Sequence, residues 1–233
     1  MSETLISVIV PAYNRERHLG AALASIVSQG HRPLEIVVVD DGSTDGTADV
    51  ARSFPLVHHV YQRNQGPPAA RNTGLAHCHG ALIAFLDADD LWPAGKLERQ
   101  VDHLAKNPGL SCVLGRMRNF LDAGVERPDW IPASAMTEDS EALSLGAGLI
   151  RRDAFELIGG FDVGHRFGDD LDWFIRLREA GLRMAVLPEI LLLRRIHSDN
   201  ISRDQRSLAH QYLRIVKAHM DRRRARRPPG DIL

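Results

Sequence analysis

The sequence predicts an α/β fold with a mostly parallel central sheet covered by helices on both faces. Three observations carry that expectation. Short, nearly continuous apolar runs rich in β-branched residues recur between Leu5 and Leu86, and segments of helical periodicity or turn-helix character separate them. Polar clusters follow three of the first four runs, as they do where parallel strands end in loops at one edge of a sheet.

Taken in order, Leu5–Val10 (LISVIV) reads as a buried strand, because strands covered on both faces carry unbroken apolar runs. Between His18 and Gln29, the residues Leu19, Ala22, Leu23, Ile26 and Val27 recur at helical spacing. Ile36–Val39 is a second buried strand, and Gly42-Ser43-Thr44-Asp45-Gly46 turns the chain into a helix near Thr47–Ser53. Val57–Tyr61 is a third strand, Ala69–His77 a helix and Ala81–Leu86 (ALIAFL) a fourth strand. Pro93 suits the first turn of the next helix, which Asn107-Pro108-Gly109 ends. After Cys112–Arg116 the pattern becomes irregular, and residues 117–143 read as a long loop or hairpin insertion. A strand at Gly148–Arg151, helices at Asp153–Ile158 and Leu171–Ala180, and strands at Met184–Val186 and Ile190–Ile196 complete the globule. A final helix spans Ser207–Met220, and there are no internal repeats.

Composition bounds the function. With 233 residues, 44% hydrophobic and 25% charged, the chain has the profile of one globular α/β domain. A formal net charge of −1 gives no global attraction to nucleic acid. Cys78 and Cys112 have no paired or metal-ligand spacing and read as reduced thiols. Met1-Ser2-Glu3-Thr4 lacks a signal-peptide pattern, and no apolar run approaches the ~20 residues of a bilayer span. The expected location is cytoplasmic. The basic stretch Asp221–Arg227 (DRRRARR) fits a solvated, fraying end; it is also suited to dock at the inner face of an anionic membrane.

The strand-end clusters are Pro11-Ala12-Tyr13-Asn14, Asp40-Asp41-Gly42-Ser43 and Asp87-Ala88-Asp89-Asp90. Each alone is explained by turns or helix caps. Three on one edge point to a ligand site, since open parallel sheets bind ligands beyond the carboxyl ends of their strands. Asp87 and Asp89, one residue apart after a buried strand, offer hard oxygen ligands suited to magnesium or manganese bridging substrate phosphates. A further acidic cluster, Gly168-Asp169-Asp170-Leu171-Asp172-Trp173, fits a helix start whose dipole favours ionised carboxylates.

The segments SVIVPAYNRERHLGAALASIVSQ, EIVVVDDGSTDGT, NQGPPAARNTGLAHCHGALIAFLDADD and GDDLDWFIRL together resemble family-two glycosyltransferases. The resemblance runs from about Ser7 to Ser202. It implies a Rossmann-like, type-A transferase domain over 1–205, with a nucleotide-binding half to about 116 and an acceptor-side half from 117. Residues 206–233 then form a C-terminal helix and basic tail.

The resemblance also implies roles. Pro11, Ala12, Tyr13 and Asn14 lie against the nucleotide, and Asp41 accepts the N3–H of a pyrimidine, which makes the expected donor UDP-linked. Arg71 sits near the same pocket, although a surface helix residue reads equally well there. Asp87 contacts ribose or metal, Asp89 binds Mn2+ or Mg2+, and His197 matches a late histidine on the metal or diphosphate. Gly146 and Gly148 lie by the donor sugar, unless they only form a turn; Asp169 and Trp173 face the donor-sugar or acceptor side. Asp170 matches the general base of an inverting transfer, a reaction that needs one base and no covalent carboxylate. Asp169 stands where the family more often has Glu. The implied acceptor is a carbohydrate, lipid-linked or other small molecule, within cell-surface polysaccharide biosynthesis. Two other classes compete: a nucleotidyltransferase, which would need a glycine-rich basic loop where PAYNRERH stands, and a non-catalytic sugar-nucleotide-binding module, against which Asp87, Asp89 and Asp170 together argue.

Overall fold

The computed structural model describes residues 4–141, 143–165, 168–198, 200 and 205–225. Seven strands form one sheet in the order β3-β2-β1-β4-β6-β5-β7. They are β1 (Ile6–Ala12), β2 (Leu34–Asp40), β3 (Val57–Tyr61), β4 (Leu82–Phe85), β5 (Cys112–Leu121), β6 (Leu149–Arg151) and β7 (Met184–Ile196). Strands β1 to β4 pair in parallel, while β6 runs antiparallel to both β4 and β5. The expected mostly parallel sheet is therefore present, with β6 as its single reversed strand.

Helices cover both faces because the central strands β1, β2 and β4 bury both of their side-chain rows. Val8 and Val10 join one apolar cluster with Leu19, Leu23 and Ile26 of α1 (Leu19–Val27) and Leu97 and Leu104 of α4 (Lys96–Lys106). Ile9 joins the opposite cluster with Ala70 of α3 (Pro67–His77) and Phe155 of α6 (Arg152–Ile158). Trp173, Phe174 and Leu177 of α7 (Asp169–Glu179) complete that second core. Helix α2 (Thr47–Arg52) and the short α5 (Ser134–Thr137) lie between strands, and α8 (Gln205–Ala225) ends the described chain. Both cysteines are free and buried. No helix among the described residues is long and apolar enough to cross a membrane.

Two boundaries differ from the sequence reading for physical reasons. Strand β5 continues through Met117–Leu121, paired with Leu192–Ile196, where an irregular loop is expected. Its outer half carries Arg116, Arg118 and Asn119 and is only partly buried, so no apolar run announces it. Strand β7 runs unbroken through Pro188, with register shifts against Leu114, Arg116 and Met117. It is an edge strand, and there a missing proline N–H costs no ladder bond. Pro93 also precedes α4 rather than opening it; Gly95, with φ of 75°, turns the chain into that helix.

Candidate active site

The loops after β1, β2 and β4 leave the same edge of the sheet, because these strands are parallel and in register. The first two are stitched together. Asn14, at a positive φ of 51°, accepts from the Thr44 amide at 2.8 Å, and its own amide donates to Ser43 Oγ at 2.9 Å. Asn is among the residues that tolerate that conformation. Tyr13 stands half-exposed beside this seam, while Ala12 is buried and Pro11 partly so.

Asp41 is buried and well supplied with donors. Its Oδ1 accepts from Gln62 Nε2 (2.7 Å) and the Gln65 amide (2.9 Å), and its Oδ2 from the Gly66 amide (2.8 Å). A carboxylate has about four acceptor directions, so the loop leaves room for about one more donor.

Asp89 sits at the centre of a cationic surround. Its Oδ2 accepts from Arg15 Nε at 3.1 Å and lies 3.0 Å from His197 Nε2. Burial works to raise its pKa, but His197 and Arg15 outweigh it and hold the group below the usual carboxylate range. His197 stacks on His18 with ring centres 5.0 Å apart, and His18 pairs with Asp122 at 2.9 Å. Arg195 closes the network: its Nε donates to the Asp89 carbonyl at 2.8 Å and its Nη1 to Asp122 at 2.7 Å. The Arg195 amide holds Asp90, whose pKa rises well above normal through burial and the neighbouring Asp89 and Asp87.

A second network joins the sheet edge to α7. Arg71 is buried; its Nη2 donates to Asp87 at 2.9 Å and its Nη1 to Asp169 at 2.6 Å. It is therefore not a surface residue, and both of its bonded nitrogens face carboxylates. Asp87 is half-exposed at the cleft, whereas Asp169 is buried. Asp170, next along the helix start, accepts from the Leu171 amide at 2.8 Å. Burial first, and then Asp169, push its carboxyl up to about 6, against the opposing charge of Arg71. The helix start thus gives this carboxylate one amide donor, but burial outweighs the dipole that was expected to keep it strongly ionised.

Three expected site residues lie in the interior. Trp173 is fully buried, stacked on Phe155 with ring centres 4.5 Å apart, and its Nε1 donates to the Gly159 carbonyl at 3.1 Å. It belongs to the core. A Cβ on Gly146 would lie 3.0 Å from Leu192, and one on Gly148 3.1 Å from Leu114. Their carbonyls accept from Trp92 Nε1 and Lys96 Nζ, so packing inside the protein explains both glycines. Asp172, in the same acidic cluster, is also spent: it pairs with Arg176 at 2.7 Å and with Arg222 of α8.

Sequence reasoning missed Arg15, His18, Asp122 and Arg195. Arg15 stands inside the quoted PAYNRER stretch and Arg195 two residues before His197, but their partners lie far away in the chain. An open pocket of ≈ 360 Å³ between α3, α7 and α8 contains none of Asp87, Asp89 and Asp170. Its arginines, Arg176 and Arg222, are already paired with Asp172, so we place the chemistry at the sheet edge instead.

Among the described residues, no three His, Cys, Asp or Glu side chains are gathered as metal ligands. Asp89 and His197 nevertheless supply a carboxylate and an imidazole in contact, with Asp87 two residues away. That donor set fits a cation that takes its remaining ligands from diphosphate oxygens and water.

An open α/β sheet with acidic loops along the edge of its parallel strands is the architecture of the type-A nucleotide-sugar transferases. The chain belongs to glycosyl transferase family 2, whose profile matches residues 7–168. It is 39% identical over 145 residues to the putative teichuronic acid biosynthesis glycosyltransferase TuaG of Bacillus subtilis, covering 60% of this chain and 55% of TuaG. It is 38% identical over 112 residues to WfgD of Escherichia coli, a UDP-Glc:alpha-D-GlcNAc-diphosphoundecaprenol beta-1,3-glucosyltransferase, covering 46% and 44% of the two chains. The chain thus spans about half the length of these relatives. Its fold matches the mannosyltransferase PcManGT of Pyrobaculum calidifontis, solved with GDP-Man and Mn2+, at a TM-score of 0.75 and 24% identity, over 95% of this chain and 65% of that one.

Proposed function

We propose that this chain transfers a sugar from a UDP-linked donor to an acceptor hydroxyl, with inversion at the anomeric carbon. The observation that carries the reading is Asp170: a carboxylate fixed at the start of α7, with its pKa raised to about 6, next to the arginine that reaches Asp87 at the sheet edge. A base poised near the working pH is what proton removal from an alcohol requires.

In this reading Tyr13, Asn14 and Asp41 hold the nucleotide, with the last acceptor direction of Asp41 taken by the N3–H of uracil. Asp87, Asp89 and His197 would hold Mn2+ or Mg2+ together with the diphosphate. When bound, such a cation offsets the negative charge that grows on the leaving diphosphate. The acceptor oxygen forms its bond to the anomeric carbon as the bond to the diphosphate oxygen breaks, and the acceptor proton passes to Asp170. The UDP-Glc donor and alpha-D-GlcNAc-diphosphoundecaprenol acceptor of WfgD favour a UDP donor and a lipid-linked acceptor here. The GDP-Man bound by PcManGT makes a guanine donor the alternative to test.

Donor hydrolysis tests this without knowledge of the acceptor. With Mn2+ present, the chain should release UDP slowly from one or more UDP-sugars. Release of GDP alone would replace the donor, and release from no nucleotide sugar would favour a binding module.

A further inference from the structure

Helix α8 has two faces of opposite character. The inner face is bound to α7: Ile215 is fully buried, Arg222 pairs with Glu179 at 3.0 Å, and His219 also pairs with Glu179. Ile215 and Tyr212 pack directly over Gly168, at φ 74°, where any Cβ would meet Ile215 Cδ1 at 2.8 Å and the Tyr212 ring at 3.2 Å. The glycine therefore allows α8 to lie across the start of α7, next to Asp170.

The outer face is apolar and open. Leu213 (69% exposed), Val216 (47%) and Met220 (48%) follow one another at helical spacing of three and four residues, so they form one stripe. Single exposed apolar residues are ordinary, whereas a contiguous stripe on a helix marks a contact surface. Arg214 and Lys217 are exposed on the same helix. From Gln205 to Leu233 the sequence holds eight Lys or Arg against two Asp, in a chain whose formal net charge is −1.

We propose that α8 docks the protein on an anionic lipid surface, with Leu213, Val216 and Met220 entering the interface and the basic residues meeting the headgroups. Apolar insertion combined with attraction to anionic lipid is the physics of an interfacial amphipathic helix. Charge selects this occupant. A second copy packed stripe to stripe would set two segments of the same strong positive charge against each other, and a nucleic acid would leave the apolar stripe unmatched. Because α8 lies against Gly168, docking through its outer face holds the start of α7, with Asp170, one helix diameter (~10 Å) from the headgroup layer, within reach of a lipid-carried acceptor. That last consequence rests on the proposed glycosyl transfer; the docking itself does not.

The test is co-sedimentation of the whole chain with vesicles of 30% phosphatidylglycerol in phosphatidylcholine, and with phosphatidylcholine alone. The wild type should partition at least tenfold more strongly onto the anionic vesicles, and 0.5 M salt should weaken that binding. The triple variant Leu213→Gln/Val216→Gln/Met220→Gln keeps the charge and should lose about tenfold in partition, with UDP binding unchanged as the check on folding. If the triple variant misfolds, Leu213→Gln alone carries the comparison. Equal partition onto both vesicle types overturns the proposal, as does a variant that binds like the wild type. So does concentration-dependent dimerisation abolished by the same substitutions. Vesicle binding without any nucleotide-sugar turnover would remove the proposed function and leave the docking intact; turnover without vesicle binding would do the reverse.

Discussion

Arg71 donates to Asp169 at 2.6 Å from inside the protein, and the same guanidinium reaches Asp87 at 2.9 Å. One buried cation thereby ties the loop after β4 to the start of the helix that carries Asp170.

Arg71 also lowers the pKa of Asp170, which burial and Asp169 raise to about 6. A base works only when ionised, so activity should be present above that pKa and lost as pH falls through it. Arg71→Gln removes the lowering charge, and the acid limb of kcat/KM should move to higher pH. The titratable groups that remain about Asp170 are Asp169, Asp87 and Tyr212 of α8. Arg71→Lys should keep the limb near its wild-type position. The Gln variant should also lose about 3–5 kcal/mol of stability, because it leaves Asp169 buried and unpaired. A folded Arg71→Gln enzyme with an unmoved acid limb contradicts this role.

Asp89 should make UDP binding depend on a divalent cation. Isothermal titration of UDP with and without Mn2+ should show metal-enhanced affinity in the wild type and none in Asp89→Ala. Retention of the enhancement in the variant would move the metal elsewhere, since the Asp89 carboxylate already has Arg15 and His197 as partners.

Asp41 should select the base. UDP should bind more tightly than CDP, since a neutral cytosine lacks the N3–H donor, and an unmatched buried acceptor costs about 1–3 kcal/mol. Equal affinities, or a preference for GDP, would confine Asp41 to holding the amides of Gln65 and Gly66.

The sequence made the edge of the site readable and left its interior obscure. Asp87, Asp89 and Asp170 stand in local motifs after apolar runs or at a helix start, so neighbouring residues announce them. The partners that set their charge do not. Arg15 and Asp89 are 74 positions apart, and Arg195 and Asp89 106 apart, so no short pattern encodes those contacts. Trp173, Gly146 and Gly148 stand in site-like motifs, yet all three are buried in the interior. A motif fixes what a residue is, while burial decides what it does.

Lys96 gives a prediction about stability. It is fully buried with Gln100 and the Gly148 carbonyl as hydrogen-bond partners, over the Trp92 ring, and burial pulls its pKa down to about 7. In the unfolded chain that pKa returns to about 10.4. Between these values the unfolded state binds more protons, so this group's contribution makes stability rise with pH. Urea unfolding at pH 7 and pH 9.5 should show the gain in the wild type and a smaller one in Lys96→Met. The same gain in both proteins would contradict a buried, strongly shifted lysine.

The central claim is that Asp170 removes the acceptor proton during an inverting transfer. Asp170→Asn keeps the shape of the side chain and removes its basicity. Once the donor screen has identified a sugar nucleotide and an acceptor, transfer by wild type and variant can be followed by proton NMR of the anomeric signal. The account predicts a product inverted relative to the donor, and transfer about 10²–10⁴-fold slower in Asp170→Asn with nucleotide binding preserved. A product of retained configuration, or near-normal transfer by the folded variant, would contradict it.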